Sequence, residues 1–487
     1  MYELTLMALG LPLATAALSL AVRRPGPLKM LNVAGSLLTG GAAGALVAGV
    51  LKDGPFARGP LYIDALSALM LLVVGLLAVT ATLFSLSYME REVAEGHFRA
   101  AVLPRYYALL QIFVFTMIGV LVVENLGLMW VGVEATTLAS TLLVAFYFNR
   151  AALEAAWKYV MVCNVGILLA LLGTIMLYYA QTNVGGGSPL SRTDLMAMSG
   201  QLDPLLVKLA FVFILIGYGT KAGLAPMHTW LPDAHSQAPS PISGLLSGAL
   251  LSCALYALVR NAGIVRGTLG CDFVQTALLG FGLLSVAVAI PFILVQHDIK
   301  RLLAYSSVEH IGLVSFGLGL GTPLAVYGAT FHILNHAVVK SALFYLAGIV
   351  SQQYRTKQVL RIRGLFAALP AAGAMTMLAV LAIVGTPPFN IFLSKFAIVA
   401  AAFEGGRPLL GGLLLLLLAG IFAGMLYYTG KMVFGTAPAS FQAAPVGRPA
   451  FIAVAASLAW ATVTGFYLPP WLHELLTQAA AIAAGRV

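Results

Sequence analysis

Four ionisable residues stand where long apolar runs should exclude them: Glu134 in MWVGVEATTLAS, Lys221 in GYGTKAGLAPMHTW, Lys340 in FHILNHAVVKSALF and Lys395 in GTPPFNIFLSKFAIV. A charge at the centre of a bilayer costs about 2.5–3.5 kcal/mol on insertion scales, so each needs a compensating role. Lys158, in AAWKYVMV, lies near the start of such a run and is equally well placed to snorkel to the surface. His332, His336 and Lys340 recur at i, i+4 and i+8, which puts them on one helical face. An imidazole titrates near neutrality and donates at one nitrogen while accepting at the other, so this stripe, joined by water, is suited to passing protons. A two-histidine metal site is the rival reading. It has no acidic or cysteine ligand at helical spacing, and Lys340 would repel a cation, so no metal is expected.

Two further groups are ambiguous. Glu309 and His310, in SSVEHIG, sit near the end of a run, where they could admit protons, cap the helix, or pair with Lys300 or Arg301. Asp233 and His235, in the loop after the Lys221 run, are expected to fix the chain there by hydrogen bonds. The electrostatic logic is simple: a nearby carboxylate decides how firmly a desolvated lysine holds its proton. A change in the Glu134–Lys221 separation would then drive proton uptake or release.

The elements that must position these groups follow from composition. Of 487 residues, 60% are hydrophobic and 9% charged, with a mean hydropathy of +0.95. Soluble domains carry about 25% charged residues, so a soluble enzyme, a nucleic-acid binder and a disordered regulator are all excluded. Apolar runs fall near 3–22, 28–51, 65–88, 106–123, 126–148, 159–180, 205–225, 242–264, 272–295, 302–320, 323–350, 372–403, 408–434 and 451–470, giving about 14 spans of an all-α polytopic membrane protein. No basic segment precedes the first run, so it reads as a retained span. Lys and Arg concentrate in the loops after spans 1, 3, 5, 9, 11 and 13. The formal charge of +10 is this excess, and the positive-inside rule puts both termini outside the cytoplasm. Cys163, Cys253 and Cys271 are far apart and read as core thiols. Without a C-x-x-C pair or a dinucleotide-binding glycine motif, no cofactor is expected.

Glycine and proline interrupt two spans, at Gly217–Pro226 and at Gly385-Thr386-Pro387-Pro388. Broken helices in lipid are tolerated only where protein or a wet cavity satisfies the freed backbone. Paired breaks point to an inverted repeat, with spans 4–8 and 9–13 as the two five-helix halves and spans 7 and 12 as counterparts. The chain then reads as a single membrane domain, 1–487. Spans 1–3 are peripheral, 106–264 is the first half-channel, 272–434 the second and 451–470 the last span.

KAGLAPMHTWLPDAH with SQAPSPISGLLSG, and DIKRLLAYSSVEHIG, resemble the signatures of the antiporter-like proton-channel subunits of respiratory complex I and Mrp-type cation/proton antiporters. LEAAWKYV, AFVFILIGYGTKAGLAPMH and PPFNIFLS are similar to the hydrogenase-4 component F branch, from group 4 [NiFe] hydrogenase and formate hydrogenlyase complexes. The resemblance implies a 14-helix inverted repeat, Glu134 and Lys221 as the span 5 and span 7 pair, and Lys340 and Lys395 in the second half-channel. It implies membrane and peripheral partner subunits of a hydrogenase or complex I-like assembly in the cell inner membrane, with protons or Na⁺ as cargo and no nucleic acid. Many relatives carry a lysine in span 8 where this chain has Ser252, so the central step would run through water between Lys221 and His332 or His336. The chain ends soon after span 14, without the long lateral helix of one complex I relative.

Overall fold

An apolar chain in lipid satisfies its backbone most simply as α-helix, and the computed structural model, which describes residues 1–438 and 441–485, is a bundle of such helices. The first part comprises α1 (Tyr2–Ala21), α2 (Pro25–Asp53), α3 (Ala65–Ala94), α4 (Leu103–Val122), α5 (Leu126–Val144), α6 (Arg150–Val184), α7 (Pro204–Ala222) and the short α8 (Leu231–Gln237). After them come α9 (Ser240–Leu269), α10 (Cys271–Leu294), α11 (Ile299–Leu320), α12 (Pro323–Tyr354), α13 (Pro370–Val384) and α14 (Asn390–Glu404). The bundle closes with α15 (Pro408–Val433), α16 (Arg448–Phe466) and α17 (Pro470–Ala483). Twelve of these helices are long and apolar enough to cross a membrane. The other two expected spans are α11, which carries Lys300, Arg301 and Glu309, and the interrupted pair α13–α14. Beyond the expected spans, the structure adds a hairpin of β1 (Phe56–Arg58) and β2 (Leu61–Ile63), and the helix α17, which packs against α3 and α12.

Helix starts are written in the loops. Asn125, Asn149, Asp203, Asp298 and Thr322 each cap the following helix through a side-chain oxygen. Both breaks fall where glycine takes a left-handed conformation, Gly223 at φ 82° and Gly385 at φ 88°. Each is followed by a cis X–Pro bond, Ala225–Pro226 and Pro387–Pro388. The freed backbone finds protein partners. Trp230 Nε1 donates to the Thr220 carbonyl at 2.9 Å, and the Ala225 amide donates to Ser285 Oγ at 2.9 Å. Thr386 Oγ1 donates to the Leu381 carbonyl at 2.8 Å, and Lys395 Nζ approaches the Val384 carbonyl at 3.4 Å. Lys221 precedes its break, whereas Lys395 follows its own.

Two helices form the axis: the apolar windows of α9 and α12 are wholly buried. Within α9, Leu246–Leu250 widens to a π-turn, and Gly248 there lies against the Ala337 backbone of α12. Small residues bring other helices equally close. A β-carbon on Gly217 of α7 would lie 2.5 Å from the Gly166 carbonyl of α6, and one on Gly282 of α10 would lie 2.7 Å from the Gly312 carbonyl of α11. A buried ion pair ties α3 to α9: Arg260 donates to both oxygens of Asp64 at 2.6 and 2.5 Å and to Ser67 Oγ at 2.8 Å. Burial pushes the Asp64 carboxyl up, but the Arg260 guanidinium beside it wins and holds it below the ordinary carboxylate value. Cys163 and Cys253 are buried, whereas Cys271, at the first position of α10, is exposed and is not a core thiol.

Gly217→Val should lower the stability of the protein by about 1–3 kcal/mol or more through overpacking of the α6–α7 crossing. Thermal unfolding in detergent, compared with Gly26→Val at a position where an added β-carbon meets nothing, measures the difference.

Candidate functional site

In the first half, Lys221 is fully buried in the last turn of α7. Its Nζ donates to Thr137 Oγ1 on α5 at 2.8 Å and to Tyr159 OH on α6 at 2.6 Å, and sits 4.7 Å above the Tyr159 ring. Tyr159 OH in turn shares a hydrogen bond with Ser140 Oγ at 2.7 Å. Glu134 stands one turn before Thr137 and makes no direct ion pair with Lys221. Asn164, its amide nitrogen turned toward α5, donates to Glu134 Oε1 at 3.2 Å, and Oε2 is shielded without a partner. Two hydroxyls hold the lysine directly, and Glu134 stands within electrostatic reach of it without touching it.

The second half holds two groups of contacts, one around Lys340 and one around the histidines. Lys340 Nζ donates to Ser306 Oγ at 2.5 Å and to the Leu303 carbonyl at 3.1 Å, both on α11. The His310 ring lies 5.0 Å from His332 and 5.0 Å from His336, and His310 Nδ1 and His332 Nε2 share a hydrogen bond of 2.8 Å. His332 Nδ1 meets Ser394 Oγ at 2.9 Å. On the other side, Glu309 Oε2 lies 3.3 Å from His310 Nε2, and Glu309 Oε1 accepts from Lys395 Nζ at 2.8 Å. Lys395, Glu309, His310, His332 and Ser394 therefore form a loop of contacts that leaves α14, passes through α11 and α12 and returns to α14 one residue away. His336 flanks it with Nε2 unpartnered.

This loop has a polarity. A carboxylate only accepts, so an ionised Glu309 requires the His310 proton on Nε2. Nδ1 of His310 then accepts from His332 Nε2–H, and His332 Nδ1 faces Ser394 Oγ, whose hydroxyl also has the Ile391 carbonyl at 3.0 Å to donate to. In this tautomer both imidazoles donate toward Glu309. A proton arriving at that carboxylate permits the opposite alignment, which is the behaviour of a proton wire.

The placement corrects two expectations. Glu309 and His310 are buried in the middle of α11, each 1% exposed, and not near its end; Asp298 caps the helix, Lys300 donates to the Ala238 carbonyl and Arg301 pairs with Asp233. Lys158 is half exposed and pairs with Glu154 at 2.7 Å and Asp233 at 3.4 Å, outside both buried clusters. Asp233 does fix α8, bridging it to α6 and α11. His235 ties the same segment to α9, its backbone carbonyl accepting from Ser243 Oγ at 2.8 Å. Ser252 is buried and spends its hydroxyl on the Gly248 carbonyl at 2.8 Å. Sequence reasoning missed Tyr159, Ser394 and the Glu309–Lys395 pair. The first two are chain neighbours of Lys158 and Lys395, a signal that adjacency alone carries.

Between α3, α8–α9, α11 and α12 lies a polar cavity of about 440 Å³, lined by Tyr88, Glu92, His97, Ser240, Lys300 and Lys357 among others. It opens among the loops that hold the Lys and Arg excess. Lys357 Nζ donates to the Ser236 carbonyl at 2.6 Å, as Lys300 does to Ala238 at 2.6 Å, so two ammonium groups close the carboxyl end of α8. Burial lowers the Lys357 pKa below the ordinary lysine value, against the carboxylates of Asp298 and Glu92.

Residues 123–423 match the family described as "NADH:quinone oxidoreductase/Mrp antiporter, TM", and residues 59–99 match "NADH-Ubiquinone oxidoreductase (complex I), chain 5 N-terminus". The chain is 37% identical over 422 residues to a hydrogenase-4 component F homolog of Methylacidiphilum infernorum, covering 86% of this chain and 84% of that protein. It is 31% identical to hydrogenase-4 component B of Escherichia coli, covering 72% of this chain and about half, 52%, of that relative. Among solved structures, a chain of Thermus thermophilus respiratory complex I is similar at 26% identity with a TM-score of 0.74, over 95% of this chain and 96% of that one. Chains of an archaeal membrane-bound sulfane sulfur reductase, with a TM-score of 0.88 at 24% identity over 99% of this chain and 97% of that one, and of the Mrp complex of Dietzia sp., with 0.85 at 22% identity over 100% of both, share the fold.

Glu309→Gln should strand the Lys395 ammonium and cost about 3–5 kcal/mol, whereas Glu309→Gln combined with Lys395→Met should recover most of that loss. A double-mutant cycle on thermal unfolding reads the coupling.

Proposed function

Because this chain belongs to the NADH:quinone oxidoreductase/Mrp antiporter transmembrane family, we propose that it is a proton-translocating membrane-arm subunit of a hydrogenase-4-like or NADH:quinone oxidoreductase-like complex. It couples electron transfer in partner subunits to proton movement through Glu134, Lys221, His332, His336, Lys340 and Lys395, with Glu309 and His310 inside the wire. Lys158 acts at the margin through its ion pair with Asp233. The observation that carries this reading is the buried constellation of Lys395, Glu309, His310, His332 and Ser394, whose contacts leave α14 at Lys395, pass through α11 and α12 and return to α14 at Ser394. The Lys/Arg-rich loops support a cytoplasmic placement of that face and an inner-membrane location with both termini outside.

Membership of a Mrp-type Na⁺/H⁺ antiporter is the second reading, favoured by 30% identity to one of the Na(+)/H(+) antiporter subunits of Alkalihalophilus pseudofirmus. That match covers 42% of the antiporter protein, against 84% of the hydrogenase-4 component F homolog, and the fuller correspondence favours the first reading.

The whole complex, reconstituted in liposomes and driven by its own electron donor, should acidify or alkalinise the lumen. Lys221→Ala or His332→Phe should cut proton movement per electron at least tenfold with all subunits still assembled. Unaltered pumping in both variants removes the reading, and a strict Na⁺ requirement transfers it to the antiporter.

A further inference from the structure

Among the described residues, the buried Lys and Arg side chains are Arg192, Lys221, Arg260, Lys300, Lys340 and Lys395. A buried cation survives where oxygen atoms or a counter-charge replace its water, and all but one of these meet that condition. Lys221 and Lys340 donate to hydroxyls, Lys300 to a carbonyl, Lys395 to Glu309 and Arg260 to both oxygens of Asp64. Arg192 is different. It is 7% exposed, its Nη2 is shielded without a partner, and its Nη1 reaches only the Met196 thioether at 3.3 Å, a weak acceptor. The guanidinium rests on the face of Tyr62, with Cζ 4.5 Å from the ring centroid.

The surroundings do not supply the missing charge. The hairpin, the residues before α5 and the segment before Arg192 are stitched into one patch on the face opposite the Lys/Arg-rich loops. Leu61 bridges Val123 and Asn125 bridges Ser191, while the Glu124 amide donates to the Pro60 carbonyl at 3.0 Å and the Leu126 amide to the Leu190 carbonyl at 3.0 Å. Asp64 lies within electrostatic reach of Arg192, but Arg260 occupies both of its oxygens. Glu124 accepts from the Thr193 amide at 3.1 Å and its hydroxyl at 2.5 Å, and Asp194 from the Ser188 amide at 2.7 Å; neither pairs with Arg192. One engaged carboxylate beside two guanidinium groups leaves a positive charge uncovered. Methionine or leucine would fill the slot without that cost, so packing does not explain the residue. A water molecule would accept from Nη2 but bring no charge. An anion does both, through the stronger, charge-assisted kind of hydrogen bond.

We propose that Arg192, packed on Tyr62 beside the Asp64–Arg260 pair, is the binding site of a small, singly charged inorganic anion, with chloride as its probe. A single charge matches one uncovered guanidinium, whereas a second would be left facing Asp64 with nothing to offset it. A lipid headgroup is too bulky for a guanidinium buried to this degree, so the ligand is a free ion. Bound there, it ties the hairpin, the segment at Arg192 and the α3–α9 ion pair into one unit. The site shares no residue with either lysine cluster, so it stands or falls independently of proton translocation.

Thermal unfolding of the full chain in a neutral detergent, with sodium chloride exchanged for sodium gluconate at constant ionic strength, tests the site. The wild-type midpoint should rise saturably with chloride, by about 2 °C or more. Bromide should replace chloride, and the rise should be absent in Arg192→Gln. A wild-type midpoint indifferent to chloride overturns the inference. An equal chloride response in Arg192→Gln also overturns it, because the effect would then be one of salt in general. Stabilisation of the wild type by micelles containing phosphatidylglycerol, without any response to chloride, overturns it too and gives the guanidinium to a lipid phosphate. Where Arg192→Gln does not fold, Arg192→Met, which fills similar space without the charge, carries the same decision.

Discussion

A carboxylate in the middle of a hydrophobic bundle is the feature from which the rest of this structure takes its order. Glu309 is buried on α11, and it survives there because it accepts from Lys395 on one side and faces His310 on the other. The contact with Lys395 fixes how α11 and α14 sit against one another, since a buried ion pair that loses its geometry becomes an uncompensated charge. The contact with His310 fixes the direction in which the imidazoles donate. The same residue thus sets a packing register and a hydrogen-bond polarity.

The broken helices supply the room for this chemistry. Unwinding at Gly223 and Gly385 frees carbonyls and amides that an intact helix would hide, and Trp230, Ser285, Thr386 and Lys395 absorb them. Polar side chains are therefore present at depth for two reasons at once, to satisfy backbone and to carry protons. The surrounding glycine contacts, Gly166 with Gly217 and Gly282 with Gly312, keep the flanking helices tight enough that such polar groups stay shielded from lipid.

Much of this was legible in the sequence, and the boundary is physical. Fourteen apolar runs, two interruptions and four stranded charges are one-dimensional facts, and all have their counterparts in the structure. The i, i+4, i+8 spacing of His332, His336 and Lys340 likewise needs only helical periodicity. What one dimension does not hold is the distance between helices. Glu309 and Lys395 lie 86 positions apart and meet only through the packing of α11 on α14, and Glu309 sits close enough in sequence to Lys300 and Arg301 to invite the wrong partner. Lys158 reads as standing near the start of a span and equally free to snorkel, and α6, which extends beyond the expected run, holds it at the half-exposed margin.

The two lysines flank their breaks on opposite sides, and this has an electrostatic consequence. Lys221 occupies the last turn of its half-helix, where the macrodipole is negative and welcomes a cation, so hydroxyls and an aromatic face suffice as company. Lys395 occupies the opening turns of α14, at the positive pole, where the same field opposes it and a full counter-charge is required. The unequal company of the two ammonium groups is thus already dictated by which half of a snapped rod each one rides.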